Sequence, residues 1–130
     1  MRSLTVIVAA AAVLAGAVGA AAQERSPADR QTLMDLAYVL GRSHALRQAC
    51  AGPADQFWRT RMQRLIDTET PDAAFDGRLE TAFNTGFAAA QAAFPRCNAA
   101  VRREQVRAAE RGRALAATLT GTVAEDDPSR

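Results

Sequence analysis

Two cysteines and one histidine are the residues of this sequence whose side chains are best suited to chemistry. Cys50 and Cys97 lie far apart in the chain, whereas redox pairs usually form C-x-x-C motifs. A zinc or haem site needs further ligands, and His44 is the only histidine. Because two cysteines in an oxidising compartment form a disulfide by default, we expect a Cys50–Cys97 disulfide, with a redox switch or a metal site as the alternatives. We therefore expect a domain without metal or cofactor.

His44 is the candidate for acid–base or binding chemistry. It falls on the inner side of a predicted helix, where it could act as a general base, contact a ligand, or hydrogen-bond to a neighbouring group as a buried imidazole. Asn84 interrupts an aromatic stripe and could hydrogen-bond across the domain, close to His44. With Arg47 and Trp58, these residues define one hypothesis: a small-molecule-binding or catalytic site in a cleft between helices. The sequence assigns none of them a catalytic role.

The most basic segment of the chain surrounds Trp58. Arg59, Arg61 and Arg64 could hold carboxylates or phosphates of envelope polymers while Trp58 provides a stacking surface. In the simpler interpretation, Trp58 anchors the core and the arginines pair with nearby acidic side chains or with solvent. Trp58 and Arg59 complete the set of candidate binding residues.

The elements that position these residues follow from capping signals and apolar spacing. Ser26-Pro27 opens a first helix over 27–49, and a second helix is predicted over 56–68. Thr70-Pro71-Asp72 opens a third helix that Pro95 ends, and a fourth is predicted over 97–120. Short connections between helices are typical of antiparallel bundles. The sequence therefore predicts an all-α protein, a small antiparallel four-helix bundle with one disulfide.

Two glycines lie inside predicted helices, Gly41 in the first and Gly86 in the third. A glycine there costs about 1 kcal/mol relative to alanine, so we expect each to admit a neighbouring helix. The cysteines lie at helix ends that share one pole of an up-down-up-down bundle. A disulfide between them closes a loop of about 48 residues, which stabilises a domain by roughly 4 kcal/mol on the chain-entropy model.

The first 22 residues have the features of a cleavable signal peptide. Residues 3–22 carry no charge, Arg2 provides a positive n-region, and Ala20-Ala21-Ala22 supplies the small side chains that a signal peptidase requires. A membrane anchor is the alternative, since about 20 apolar residues span a bilayer. We expect a signal peptide at 1–22, a helical domain at 23–120 and a disordered acidic tail at 121–130. The mature protein is then periplasmic and has no stable membrane insertion.

The charge of the mature chain argues against nucleic-acid binding. All basic residues are arginine, and loss of Arg2 leaves fifteen of them against fourteen acidic residues, a formal charge of +1. A nucleic-acid-binding domain has a strongly basic face instead. We expect a non-enzymatic interaction or adaptor protein whose partner is an envelope protein or cell-wall material.

The order of several short motifs resembles a known family. The matching residues run from about 33 to 118 and are Leu40-Gly41, His44, Leu46-Arg47, Cys50, Trp58-Arg59, Met62, Leu65, Glu69, Phe83-Asn84, Gly86-Phe87, Cys97, Gly112 and Leu115. This pattern is similar to small exported alphaproteobacterial proteins of unknown function with two well-separated cysteines. Phe87 stands where that family more often has Tyr. The resemblance implies export and the disulfide, favours His44, Arg47, Trp58, Arg59 and Asn84 as site residues, and implies no activity.

Overall fold

The computed structural model describes residues 24–125, which form four helices. These are α1 (Pro27–Ala51), α2 (Phe57–Glu69), α3 (Ala73–Ala93) and α4 (Ala99–Glu125), and this range contains no strand. The all-α four-helix prediction is confirmed. The predicted signal peptide and residues 126–130 of the predicted tail lie outside the described residues. Among the helices described, none is both long and apolar enough to cross a membrane.

Three of the helices begin at a side chain that accepts a backbone hydrogen bond. Ser26 Oγ accepts from the Asp29 N–H at 3.1 Å, and Pro27 follows as the first helical residue of α1. Asp72 accepts from Phe75 N–H at 2.8 Å at the start of α3. Asn98 accepts from Val101 N–H at 2.9 Å at the start of α4. Such caps satisfy amide groups that the helix itself leaves unpaired. The start of a helix can therefore be predicted from the residues next to it in the sequence.

Two predicted boundaries differ from the structure. Thr70 does not open α3; it ends α2 in the left-handed conformation at φ 43°, and the cap of α3 is Asp72. The fourth helix was expected over 97–120, but α4 begins at Ala99 and continues through Gly121 to Glu125. Glycine adopts helical backbone angles as well as the left-handed ones that end a helix, so Gly121 does not by itself stop α4.

The other three helices pack mainly on α1, which is the centre of the bundle. α2 is antiparallel to α1, because ion pairs join Arg25 to Glu69 at one end and Arg47 to Asp55 at the other. α4 is antiparallel as well, since Cys97 bonds to the end of α1. α3 runs parallel to α1. The chain therefore alternates in direction, as expected for an up-down-up-down bundle.

Glycines allow the parallel pair α1 and α3 to approach each other closely. A Cβ built on Gly41 would lie 1.9 Å from the Phe83 carbonyl oxygen, and one on Gly86 would lie 2.1 Å from the Tyr38 carbonyl oxygen. Both distances are far below a van der Waals contact. The expectation that these two glycines admit a neighbouring helix is confirmed. The core between the helices includes the fully buried side chains of Leu33, Leu46, Leu79 and Phe83.

The Cys50–Cys97 disulfide is present, with a Cα–Cα distance of 4.7 Å. It joins the last turn of α1 to the segment that precedes α4, and both cysteines are exposed. The Gln105 side chain adds a second tie between the same helices by donating to the Leu46 carbonyl at 2.9 Å. One pole of the bundle is thus fixed covalently, as the sequence predicted.

Candidate functional site

His44 is buried in the core beside two phenylalanine rings. Its ring is 4% exposed and lies 5.7 Å from the Phe83 ring and 5.4 Å from the Phe87 ring, centroid to centroid. Its buried Nδ1 has no hydrogen-bond partner among the described residues. Burial, and then the positive charge of Arg59, lower the pKa of His44, so the imidazole is neutral at neutral pH. The expected hydrogen bond to a neighbouring group is therefore absent at Nδ1.

Arg47 holds the α1–α2 connection in place. Its Nε donates to both carboxylate oxygens of Asp55 at 2.9 Å, and its guanidinium lies 4.4 Å from the Phe57 ring centroid. Asp55 also accepts from the Phe57 N–H at 3.1 Å. The hydrogen bond from Arg47 is the main cause that lowers the pKa of Asp55. These contacts occupy Arg47 in fixing the turn before α2.

Arg59 packs against a core ring, whereas Asn84 faces solvent. The Arg59 guanidinium is 4.3 Å from the Phe83 ring centroid and 3.6 Å from the Glu80 carboxylate. Asn84 is exposed, and no hydrogen bond of its side chain occurs among residues 24–125. The prediction that Asn84 hydrogen-bonds near His44 is therefore wrong. His44 in α1 and Asn84 in α3 lie on helices that pack against each other. However, the Asn84 side chain points to solvent, whereas that of the neighbouring Phe83 points inward.

The four residues of the hypothesised interhelical cleft do not all line the groove that α2 and α4 form within residues 24–125. Trp58 lines a large groove between α2 and α4, whereas His44, Arg47 and Asn84 are not among the residues of that groove. The groove gives no support to a site built from all four, which stays a prediction. A role for each of the five candidate residues singly stays a prediction.

The groove has a volume of about 440 Å³, within the range of small-molecule sites. Its floor is α1 and its two walls are α2 and α4. The lining residues are Leu36, Val39, Leu40 and Ser43 from α1, Trp58, Arg61, Arg64, Leu65 and Thr68 from α2, and Ala108, Ala109, Gly112, Arg113 and Ala116 from α4. We call this surface the α2–α4 groove. Apart from two hydroxyl groups and three guanidiniums, its side chains are apolar.

The three arginines of the α2–α4 groove are exposed and carry unbalanced charge. Arg61, Arg64 and Arg113 form no ion pair within the described part of the chain, and no acidic residue is among the groove residues. Arg61 is held over the rings of its own helix, 3.6 Å from the Phe57 centroid and 5.4 Å from that of Trp58. Stacked guanidiniums are pre-organised for carboxylates and phosphates.

In a second cavity, of about 340 Å³, the arginines have acidic partners. Arg25 donates two hydrogen bonds of 2.9 Å to the Glu69 carboxylate, and Arg30 lies 3.7 Å from Asp72. Arg25 also donates to the Leu119 carbonyl at 3.2 Å, so it joins α2 and α4 at the start of α1. The hydrogen bond with Glu69 raises the pKa of Arg25. Both arginines of this cavity are thus paired with acidic side chains, and the contacts of Arg25 tie helices together.

Sequence reasoning found part of the groove. It identified Trp58 with Arg61 and Arg64 as a possible anion-holding segment but preferred Trp58 as a core anchor, with the arginines facing acidic neighbours or solvent. In the structure Trp58 packs against the core, Arg61 and Arg64 are exposed to solvent, and Glu69 binds Arg25. The α4 wall was missed altogether, because alanines and a glycine carry no chemical signal and Arg113 resembles any exposed arginine. The spacing Ala108, Gly112, Ala116 was the one available hint, since it forms a small-residue stripe.

Metal binding has no support in the described range, where no three His, Cys, Asp or Glu residues are grouped to hold an ion. The cysteines form a disulfide and therefore offer no thiolate to His44.

Comparison with known proteins places the whole bundle in one family. No curated protein and no solved structure gives a significant match. The model of the family described as "Protein of unknown function (DUF2385)" matches residues 27–122, from the first residue of α1 into the last turn of α4. Since this match covers well over half of the sequence, the chain belongs to the DUF2385 family.

Proposed function

We propose that this chain is exported to the periplasm and acts there as a non-enzymatic binding protein of the cell envelope, with the α2–α4 groove as its binding surface. Export is supported by the uncharged segment 3–22 with its Ala20-Ala21-Ala22 end. The Cys50–Cys97 disulfide supports it independently, because exposed disulfides persist in oxidising compartments.

One observation carries the binding role: an open apolar groove whose rim holds three arginines without ion-pair partners in the described structure. Apolar lining provides affinity by excluding water, and a few polar groups provide orientation. Binding rather than catalysis is favoured because the residues best suited to chemistry have other contacts. His44 packs between Phe83 and Phe87, and Arg47 holds Asp55.

Export is tested by an intact mass spectrum of protein purified from the periplasm, recorded before and after reduction and alkylation. We expect a mass that lacks residues 1–22, and alkylation of Cys50 and Cys97 only after reduction. A retained N-terminal segment or two free thiols would contradict the proposed compartment.

The groove is tested with 1-anilinonaphthalene-8-sulfonate, a fluorescent amphiphile, and a matched pair of variants. Ala109→Phe places a ring in the groove, whereas Ala114→Phe places the same ring on an exposed part of α4 outside it. We expect the probe to bind to the wild type and to Ala114→Phe but not to Ala109→Phe, and a fraction of bacterial envelope extract to displace it. If no envelope fraction displaces the probe, the proposed binding role is wrong.

A further inference from the structure

The shape of the α2–α4 groove limits what fits into it. Along α2 it extends from Trp58 to Thr68, which corresponds to about 15 Å at the helical rise per residue. The groove offers about 440 Å³. A single alkyl chain about 4 Å thick, as set by carbon–carbon contact distances, fits within this groove.

The floor and the walls provide a mainly apolar track for such a chain. Leu36, Val39 and Leu40 form the floor together with Ser43, and Ala108 and Gly112 keep the α4 wall low. An extended chain of about twelve carbons spans about 15 Å, given a carbon–carbon bond near 1.5 Å in zigzag. The groove length therefore corresponds to a chain of about twelve carbons.

The charges around the track select the head group. Arg61 and Arg64 lie on one wall and Arg113 on the other, and no acidic residue lines the groove. A guanidinium matches a carboxylate or a phosphate through two parallel hydrogen bonds. A cationic or uncharged head group would leave these arginines without a counterpart. In the second cavity, by contrast, the Arg25 guanidinium already has its counterpart in Glu69.

We infer that the α2–α4 groove binds a single-chain amphiphile with an anionic head group: an alkyl chain of ten to fourteen carbons (about the groove length) that ends in a carboxylate or a phosphate. The alkyl chain lies on the floor formed by α1, and the head group binds to the arginines of the rim. This inference rests on the proposed binding role of the groove and names the ligand class for that same surface.

Trp58 makes the inference directly measurable, because it is the only tryptophan of the chain and lies in the groove. The probes are dodecanoate, monododecyl phosphate, dodecanol and dodecyltrimethylammonium, the ionic ones titrated below their micelle concentrations and dodecanol below its solubility limit. We expect a saturable blue shift of Trp58 emission with the two anions, and binding of dodecanol that is at least about tenfold weaker. Decanoate should bind about fifteenfold more weakly than dodecanoate, since each methylene contributes about fourfold. Whichever of dodecanoate and dodecyl phosphate binds more tightly identifies the head group.

Charge variants separate specific recognition from unspecific adsorption. Arg64→Gln and Arg113→Gln should each weaken binding of the better anion by about tenfold and leave dodecanol binding unchanged. Arg103→Gln is the matched control, because Arg103 is an exposed arginine of α4 outside the groove. Equal affinity for dodecanol and dodecanoate, or the same loss in Arg103→Gln as in Arg113→Gln, would overturn the inference.

A last arm distinguishes failure of the ligand class from failure of the groove. An acidic amphipathic peptide is titrated in the same way. If the peptide shifts Trp58 emission and the anionic amphiphiles do not, the occupant is a partner helix; the inference is overturned and the proposed function stands. If none of these probes binds and no envelope fraction displaces the fluorescent amphiphile, both are wrong.

Discussion

The close approach of α1 to α3 at Gly41 gives the sharpest prediction, the substitution Gly41→Ala. The added Cβ would lie 1.9 Å from the Phe83 carbonyl oxygen and 2.7 Å from its carbonyl carbon. These are backbone atoms of α3, so no side chain can rotate away, and the two helices must separate by more than 1 Å to restore a normal contact of about 3.5 Å. We expect Gly86→Ala to act in the same way, through its 2.1 Å approach to the Tyr38 carbonyl oxygen.

The magnitude follows from two opposing effects. Alanine is favoured over glycine within a helix by about 1 kcal/mol. Overpacking of a core costs about 1–3 kcal/mol, and a clash between two rigid backbones lies at the upper end. The net loss of unfolding free energy is then about 2 kcal/mol for Gly41→Ala, or a decrease in Tm of about 10 °C for a domain of roughly a hundred residues.

The control is Gly77→Ala, in the same α3 helix, where nothing lies within 4 Å of the added Cβ. There only the helix-propensity gain acts, so Tm should rise by up to about 5 °C. Thermal unfolding followed by circular dichroism measures both variants. If Gly41→Ala and Gly77→Ala change Tm in the same direction, the close packing of α1 on α3 is refuted.

Three further predictions concern single features of the bundle. Burial lowers the pKa of His44, so on acidification the unfolded chain binds a proton at this residue before the native chain does. The unfolding free energy should therefore fall as the pH drops below about 6.5. Urea titrations between pH 7.5 and 5 measure this fall, and it should be smaller in His44→Leu. Replacement of Cys50 and Cys97 together by Ser should lower the unfolding free energy by about 4 kcal/mol, and reduction of the wild type should reproduce the loss; a much smaller loss would mean that the disulfide does not constrain the unfolded chain. Thr70→Gly should raise unfolding free energy by about 0.5–1 kcal/mol, because Thr70 is left-handed at φ 43°, whereas Thr60→Gly within α2 should lower it.

The fold was largely predictable because its signals are local. The start of α1 depends on Ser26 and Pro27, which lie next to the helix that they cap, and the predicted bounds of α2 differ by only one residue at each end. The glycines in α1 and α3 indicated close approach for a physical reason that holds in any context, the absence of a Cβ. The disulfide followed from compartment and from bundle direction.

The site was much less predictable, because it depends on which helix faces are left uncovered. Glu69 bonds to Arg25, which precedes α1, and not to an arginine of its own helix. This contact joins two residues that are 44 positions apart in the sequence. It leaves Arg64 without a partner among the described residues, and no pattern within α2 reveals that. Asn84 illustrates the converse error: its position in an aromatic stripe suggested an inward role, yet it is exposed.

Gly41 and Gly112 are glycines for different reasons. Gly41 is required, since any Cβ there meets the backbone of α3. At Gly112 a Cβ would lie 3.6 Å from Val39 Cγ1 and 3.9 Å from Leu36 Cδ1, which are ordinary contacts. A larger side chain at Gly112 would therefore cover apolar floor and stabilise the fold, by about 25 cal/mol for each Å² removed from water. The bundle forgoes that stabilisation where Arg113 borders the groove, and this open floor is what the proposed ligand requires.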